Sequence, residues 1–335
     1  MIDVNDLKRQ LGLLDISGVC SLEIKGQPVL AEAFGYADMA KQIPNKTATR
    51  FATASMAKGF TAVATLQLIE QNKLTLATRV TEVLPSTFPH MGAEVTIEHL
   101  LTHTSGFEDY CDEVKDVYYD ESWNETLTEP KAYLPLIADM KMEFAPGSKF
   151  KYNNGAFVIL SLVVEAVSGM GFAQYVTENV LQPAGMISSG YFRMDNLPAN
   201  TAIGYTEDAG QLKPNLYTIP IIGGGDGGIY LTLADLSKFW RALSSNTLLK
   251  HATISEAWTP HVGTDEDNVH YGLGFWLVSG EAGVNRVLLL GGARGVACRS
   301  CYYPQHDAVI TVLINRDSGS YAPYKLLDKC LMTNV

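Results

Sequence analysis

The segment Phe51-Ala52-Thr53-Ala54-Ser55-Met56-Ala57-Lys58 opens a helical pattern that runs to Asn72. Residues i and i+3 share one face of a helix, so we expect the Ser55 hydroxyl and the Lys58 amine to lie within hydrogen-bonding distance. A serine in the first turn also lies at the positive end of the helix dipole, which favours negative charge on an attacked carbonyl oxygen. The spacing therefore predicts a nucleophilic serine with a lysine beside it.

A second candidate element is Tyr152-Asn153-Asn154, the only Tyr-x-Asn in the chain, which follows the turn Phe144-Ala145-Pro146-Gly147. A tyrosine oxygen near the lysine can pass the serine proton to a leaving group, and an asparagine amide can hold the substrate or the lysine. Taken alone, Tyr152 also fits a tyrosine packed at the start of a helix. Together with Ser55 and Lys58 it completes a candidate base system.

Strand patterns occur at both ends of the chain, and helical patterns lie between them. The strand-like runs are residues 18–24, 29–35, 272–278, 286–290, 296–303 and 308–315. The helical patterns cover residues 3–13, 55–72, 95–103, 130–140, 155–168, 172–181, 232–244 and 323–332. This order predicts an α/β fold of the α+β type, with one antiparallel sheet built from both chain ends, flanking helices and a mostly helical insertion. We expect a sheet domain from 1–75 and 245–335 and a helical domain from 76–244.

The charge balance excludes two classes of partner. The chain has 335 residues with 25 basic and 36 acidic side chains, for a formal net charge of −11. Nucleic acids and anionic membranes are bound through clustered lysine and arginine, and the sequence has no such cluster.

The sequence has no pattern of a signal peptide or a membrane span. The N-terminus Met1–Asp6 lacks a basic start followed by an apolar run, and the longest apolar stretch, 157–167, is shorter than the about 20 residues that span a bilayer. We therefore expect a cytoplasmic protein with no membrane or nucleic-acid partner.

The negative charge is concentrated in one segment, residues 108–129, which has one base, Lys115, and nine acids. The acids are Glu108, Asp109, Asp112, Glu113, Asp116, Asp120, Glu121, Glu125 and Glu129. Five aromatic residues lie in or beside the segment, namely Phe107, Tyr110, Tyr118, Tyr119 and Trp123. The segment fits a solvated surface loop, and it also fits a lid that repels anions and favours cationic or aromatic groups.

A glycine-rich run, Gly223–Gly228, contains the Gly-x-Gly-x-x-Gly pattern of dinucleotide-binding loops. Such a loop must open directly into a helix, with an acid about 20 residues further on. Here Ile229-Tyr230-Leu231 intervene before the expected helix start at Thr232. We therefore expect no nucleotide cofactor.

Two further patterns have the spacing of metal ligands. His99 and His103 are four residues apart, but the zinc-protease pattern places a glutamate where this chain has Leu100, so we interpret both histidines as structural. Cys298 and Cys301 form a Cys-x-x-Cys without the second pair that a zinc site needs. We expect no metal site.

The chain resembles the family of class C serine β-lactamases, penicillin-binding D,D-peptidases, and the esterases and D-aminopeptidases that share their fold. The matching segments are residues 51–58, 72–76, 99–106, 144–155 and 227–230, in an order and spacing that cover about residues 20–315. The resemblance implies that Ser55 is the acylated nucleophile, that Lys58 and Tyr152 form its base system and that Asn154 lines the substrate site. It also implies an active site in the cleft between the two domains.

The third element of that family is missing here. The family has Lys-Thr-Gly or His-x-Gly on the strand beside the cleft, and counting back from Pro304 places this triplet, within one residue, on Leu289-Leu290-Gly291. The backbone N–H of Gly292 or a neighbour can still pair with that of Ser55 as an oxyanion hole. The missing cation is the expected anchor for a substrate carboxylate, and Arg294 is an alternative source.

The sequence therefore predicts a serine hydrolase that acts on a small neutral or cationic ester or amide through an acyl-Ser55 intermediate, with weak or no β-lactamase activity. One alternative is a true β-lactamase or D,D-carboxypeptidase. Another, of a different class, is a non-catalytic relative that binds a ligand in the same cleft. The sequence makes no prediction of the oligomeric state.

Overall fold

The computed structural model describes residues 2–112, 115, 118–281 and 283–334. The strands are β1 Gly18–Ile24, β2 Gln27–Phe34, β3 Tyr36–Asp38, β4 Ile43–Pro44, β5 Phe51–Ala52, β6 Tyr205–Asp208, β7 Gln211–Pro214, β8 Tyr230–Leu231, β9 Val262–Gly263, β10 Val269–Tyr271, β11 Trp276–Gly280, β12 Gly283–Ala293, β13 Val296–Tyr303 and β14 Ala308–Ile314. The α-helices are α1 Val4–Gly12, α2 Ala57–Glu70, α3 Val80–Val83, α4 Ile97–Leu101, α5 Leu134–Ile137, α6 Asn154–Ser168, α7 Phe172–Val176, α8 Leu233–Ser244, α9 His251–Ala257 and α10 Tyr321–Asn334.

An eight-stranded antiparallel sheet forms the centre of the molecule, in the order β2-β1-β14-β13-β12-β11-β10-β9. Strand β1 from the N-terminal part pairs with β14 from the C-terminal part over its whole length, from Gly18 opposite Ile314 to Ile24 opposite Ala308. Every residue of β14 is buried, as expected for an apolar run with layers on both faces. The predicted α+β class, with one sheet built from both chain ends, is confirmed.

Helices cover both faces of this sheet. Leu7 of α1 and Leu327 of α10 lie in one hydrophobic cluster with Leu22 and Ile310 of the sheet. On the other face, Trp240 of α8 is fully buried, and its indole N–H donates to the Ser300 hydroxyl of β13 at 2.8 Å. The strands at the centre therefore have little freedom to shift.

Helices α2 and α6 pack against each other behind the sheet, and nearly all of their side chains are buried. A helix that is apolar on every side belongs in the interior of a large protein. Strand β12 approaches α2 closely, since an added Cβ on Gly59 would lie 2.5 Å from the Leu289 side chain. Lys58 is therefore a charged residue within a helix that is otherwise core.

The structure differs from the sequence prediction at the strand expected over 272–278. The chain instead leaves β10 at Tyr271 and returns as β11 at Trp276, with a turn closed by the Gly272 N–H donating to the Phe275 carbonyl at 2.9 Å. Gly274 in this turn has φ of +88° and donates its N–H to the Leu101 carbonyl at 3.0 Å. A hairpin turn that docks on α4 therefore replaces the first four residues of the predicted strand, and its last three residues form the start of β11.

The Cys-x-x-Cys pair lies in β13. Cys298 and Cys301 point to opposite faces of the sheet, because they belong to different hydrophobic clusters. Burial raises the pKa of each thiol to about 12, so both are unreactive at neutral pH.

Within the described residues, no single helix is long and apolar enough to cross a membrane. Helix α6 and the segment Phe172–Leu181 together have the length and apolar composition of a membrane span, but the two are bent by 79° relative to each other.

The predicted division into a sheet domain, 1–75 with 245–335, and a helical domain, 76–244, remains a prediction.

Candidate active site

The turn that carries Ser55 is held by a short two-stranded pairing. Strand β5 pairs with β8, and the next residue, Thr53, bonds Ile229 O twice, from its N–H at 3.1 Å and from its hydroxyl at 2.7 Å. Ala54 then adopts φ of +44°, which is uncommon for a residue with a Cβ. A 3₁₀ turn, Ala54–Met56, leads directly into α2. Such a conformation persists only where its surroundings hold it.

Lys58 is the centre of the site. Its Nζ donates to Ser55 Oγ at 3.1 Å, to Asn154 Oδ1 at 2.8 Å and to the Asp226 backbone oxygen at 2.8 Å. An ammonium group has three N–H donors, so each has an acceptor. Lys58 is only 2% exposed, and a buried charge is tolerated when it is fully hydrogen-bonded. The structure therefore brings Ser55, Lys58 and Asn154 together.

Tyr152 packs beside this group and lines the same cleft as Ser55 and Asn154. Lys58 Nζ lies 4.9 Å from the centroid of its ring. The ring is held between His103, at 4.3 Å between ring centroids, and Trp276, which stacks on it at 5.9 Å with 16° between the planes. The orientation of Tyr152 is thus set by its aromatic neighbours.

Both histidines of the His-x-x-x-His pattern have structural partners. The His99 ring nitrogen Nδ1 accepts from the Thr96 N–H and completes a capping box at the start of α4. His103 is fully buried, and its Nδ1 accepts from the Asn153 N–H at 3.1 Å. Burial and the nearby charge of Lys58 hold the pKa of His103 well below its usual range, so the ring is neutral. No group of three or more His, Cys, Asp or Glu side chains among the described residues has the geometry of a metal site.

Asn154 is itself fixed by Asp109. Asp109 Oδ2 accepts from the Asn154 backbone N–H at 2.7 Å and from its side-chain Nδ2 at 3.0 Å, while Oδ1 accepts from the Gly155 N–H at 2.9 Å. These backbone donors lie at the start of α6, where a helix has no acceptors of its own. Burial raises the pKa of Asp109 to about 6. A continuous hydrogen-bonded series therefore runs from Ser55 through Lys58 and Asn154 to Asp109.

The glycine-rich run forms the loop that completes the coordination of Lys58. The loop fits between α2 and α6, because an added Cβ on Gly225 would lie 2.2 Å from the Phe157 carbonyl oxygen. The Gly225 carbonyl accepts from the Thr61 hydroxyl at 2.5 Å. The loop then places the Asp226 carbonyl on Lys58 and directs the Asp226 carboxylate to Tyr110, whose hydroxyl donates to Oδ2 at 2.5 Å.

Strand β12 forms the opposite edge of the cleft. An added Cβ on Gly291 would lie 2.0 Å from the Thr53 carbonyl oxygen, so only glycine allows the strand to approach the Ser55 turn this closely. Gly292 has no atom within 4 Å of the corresponding position. Leu290 lines the cleft, while Arg294 is partly engaged by Glu121 of the acidic segment at 3.3 Å.

The cleft around Ser55 has a volume of about 1530 Å³ and is strongly acidic. Its described acidic lining residues are Asp109, Asp112, Glu121, Glu207, Asp208, Asp226 and Asp317, and the basic ones are Lys213, Arg294 and Arg299. Residues of the acidic segment therefore form one wall of the cleft. Two of its nine acids, Glu113 and Asp116, lie outside the described residues.

The sequence model of the β-lactamase family matches residues 19–327. The chain belongs to the β-lactamase family. A solved penicillin-binding protein from Bacillus halodurans is 39% identical, with a TM-score of 0.90 over 96% of this chain and 99% of that one. Penicillin-binding protein 4* of Bacillus subtilis is 29% identical over 88% of this chain and 67% of its own length. A D-aminopeptidase of Cereibacter sphaeroides is 29% identical over 96% of this chain and 62% of its own length.

The chain thus spans about two thirds of the length of the curated relatives it matches. The predicted family and enzyme class, a serine hydrolase, are confirmed. The roles of the individual site residues remain predictions.

Two residues of this β-lactamase-family site were missed in the sequence. By composition Asp109 is only one of nine acids in its segment, although it lies three residues after the His103–Gly106 run that the family shares. Asp226 was considered only as part of a glycine-rich nucleotide pattern. The sequence signal for Asp226 is that it is the single acid within a run of glycines, because glycines mark places where the backbone approaches another group closely.

A first test compares alanine substitutions at two adjacent glycines of β12, Gly291 and Gly292. In Gly291→Ala the new methyl group overlaps the Thr53 carbonyl, so we expect the strand or the Ser55 turn to move and labelling of Ser55 by a fluorophosphonate to fall about 100-fold. Gly292→Ala keeps its backbone N–H and has space, so it should lose far less. Labelling rates from intact mass, with melting temperatures, measure this. Equal labelling of the two variants would contradict the close approach.

A second test concerns Asp109. Below pH about 6 its carboxyl is protonated and accepts hydrogen bonds less well, so we expect acylation of the wild type to decline as the pH falls through that value. Asp109→Asn presents an amide N–H₂ to backbone donors, so we expect acylation to be slower by about tenfold and this acid limb to disappear.

The matched control for this test is Glu108→Gln, which changes an exposed neighbouring carboxylate. It should keep both the rate and the acid limb. A wild-type profile with no acid limb near pH 6, or one that is identical in Asp109→Asn, would show that Asp109 does not act on the site.

Proposed function

We propose that this serine hydrolase cleaves a small neutral or cationic ester or amide in two steps through Ser55. In the first step Lys58, having given up one of its three protons, accepts the Ser55 proton as Oγ attacks the carbonyl carbon, and Lys58 and Tyr152 pass a proton on to the leaving oxygen or nitrogen as the bond to it breaks. In the second step water attacks the acyl ester and Ser55 regains its proton. The 3.1 Å contact between Lys58 Nζ and Ser55 Oγ is the observation that carries this proposal.

Stabilisation of the oxyanion is assigned to backbone groups. The N–H of Ser55 lies at the start of a helical segment, and the Gly292 N–H belongs to the strand that Gly291 allows to approach the Ser55 turn. Backbone donors of this kind favour the charge that develops on the carbonyl oxygen. Neither donor requires the missing Lys-Thr pair of the family.

The sign of the substrate follows from the charges at the cleft. Acids outnumber bases in its described lining, and Leu290 occupies the strand position where the family has a polar residue. Arg294 is partly engaged by Glu121, which weakens it as an anchor for a carboxylate. A substrate with a free carboxylate is therefore disfavoured relative to a neutral or cationic one.

A second candidate function is action on β-lactams or D,D-peptides. The 39% identity to a solved penicillin-binding protein favours it. The D-aminopeptidase relative instead favours an amide substrate with a free amine. A non-catalytic binding protein is the remaining alternative, and the complete Ser55, Lys58, Asn154 network argues against it.

The test of this proposal is acylation followed by intact mass. We expect a fluorophosphonate probe to add one adduct to the wild type and none to Ser55→Ala. The same pair should then be compared on short-chain p-nitrophenyl esters, amino-acid amides and a chromogenic cephalosporin. We expect Ser55-dependent turnover of esters or amides and little turnover of the cephalosporin.

Absence of any adduct in a folded wild-type protein would favour the non-catalytic alternative. Cephalosporin hydrolysis at about 10 s⁻¹, an ordinary enzymatic turnover rate, would contradict the proposed substrate class and favour the β-lactamase alternative.

A further inference from the structure

Asp226 presents a second buried carboxylate to the cleft. It is only 8% exposed and lines the same cavity as Ser55. Its Oδ2 accepts from the Tyr110 hydroxyl at 2.5 Å. Within the described part of the chain, Oδ1 accepts no hydrogen bond, so half of the carboxylate has no partner.

The Lys58 ammonium does not donate to this carboxylate. The Lys58 ammonium donates to the backbone oxygen of Asp226, and its other two N–H groups go to Ser55 and Asn154. No lysine or arginine among the residues that the structure describes lies within ion-pair distance of the Asp226 carboxylate.

The basic residues that line the cleft have other neighbours. Lys213 pairs with Asp208 at 2.5 Å, and Arg294 lies 3.3 Å from Glu121. A buried carboxylate that faces a cavity without a counter-charge is costly, and a cationic ligand removes that cost.

Tyrosine rings surround the position. The Tyr110 ring lies 5.3 Å from that of Tyr119 and 5.8 Å from that of Tyr133, and all three line the cleft. Burial, followed by the negative charge of Asp226, raises the pKa of all three tyrosines above the usual value. The rings are therefore neutral, and their faces attract an ammonium group.

Asp226 and Ser55 line the same cleft and share Lys58 as a neighbour. Lys58 Nζ bonds both Ser55 Oγ and the Asp226 carbonyl, so the two residues lie on either side of one nitrogen. An added Cβ on Gly227 would be 3.6 Å from Ala54, the residue before Ser55. A group held by the Asp226 carboxylate therefore lies in the same cleft as Ser55.

We propose that Asp226 and the tyrosines around it form a subsite for a primary ammonium group of the substrate, with one N–H donated to Oδ1. This inference rests on the proposed hydrolase function and narrows it to esters or amides that carry a primary amine near the scissile carbonyl. A guanidinium is a poorer fit, because its paired N–H groups need both carboxylate oxygens and Tyr110 already occupies Oδ2.

The test compares two isosteric substrates, alanine p-nitroanilide in both enantiomers and isobutyric p-nitroanilide, which has a methyl group in place of the ammonium. We expect the wild type to cleave one enantiomer of alanine p-nitroanilide with a kcat/KM about tenfold or more above that for isobutyric p-nitroanilide. Asp226→Asn keeps the shape and an acceptor for Tyr110 but removes the charge, so this preference should disappear whatever happens to the absolute rates.

The control is Asp208→Asn, which neutralises another cleft carboxylate that is mostly exposed and already paired with Lys213. It should keep the preference. Absence of an ammonium preference in wild type, or an equal preference in Asp226→Asn, would overturn the inference.

Binding separates failure of this inference from failure of the proposed function. Calorimetric titration of Ser55→Ala with alaninamide and with isobutyramide reports on the subsite without turnover. Tighter binding of alaninamide that Asp226→Asn abolishes supports the subsite even if no acylation occurs. Equal binding of both amides overturns it, even if Ser55 is acylated by neutral esters.

Discussion

The site depends on one buried ammonium group with three acceptors. Lys58 lies in the middle of the molecule, and its charge is stabilised only because Ser55, Asn154 and the Asp226 carbonyl surround it. Removing any one acceptor leaves an unsatisfied N–H in a buried place, which is costly. The same three contacts set the distance between the nucleophile and the groups that handle its proton.

Separate parts of the fold supply the groups that surround Lys58. The sheet built from both chain ends supplies β12, whose Gly291 lines the cleft, and α2 and α6 supply Lys58 and Asn154 on facing surfaces. The glycine-rich loop fits between these helices because Gly225 has no side chain to collide with α6. The acidic segment contributes Asp109 at the start of α6, so the same stretch that carries most of the negative charge also orients an active-site amide.

Local patterns were sufficient for part of this arrangement. The contact between Ser55 and Lys58 follows from helical spacing, and the strands at both ends follow from their apolar runs. Contacts between distant segments did not follow. Asp109 and Asn154 are 45 residues apart, and Lys58 and Asp226 are 168 apart. Their pairing depends on how α6 and the glycine-rich loop pack against the rest of the protein, and hydrophobic periodicity in the sequence reports only local secondary structure. The first part of the strand predicted over 272–278 was wrong for a similar reason, because Gly274 forms a turn that docks on α4, whereas residues 276–278 do lie in β11.

If the threefold-bonded Lys58 activates Ser55, fluorophosphonate labelling of Ser55 should be slower in Lys58→Met than in the wild type. A residue that assists proton transfer contributes about 10²-fold or more to the rate, so we expect at least that loss of labelling rate in a Lys58→Met variant that circular dichroism shows to be folded. Labelling of Ser55 in folded Lys58→Met at the wild-type rate would contradict it.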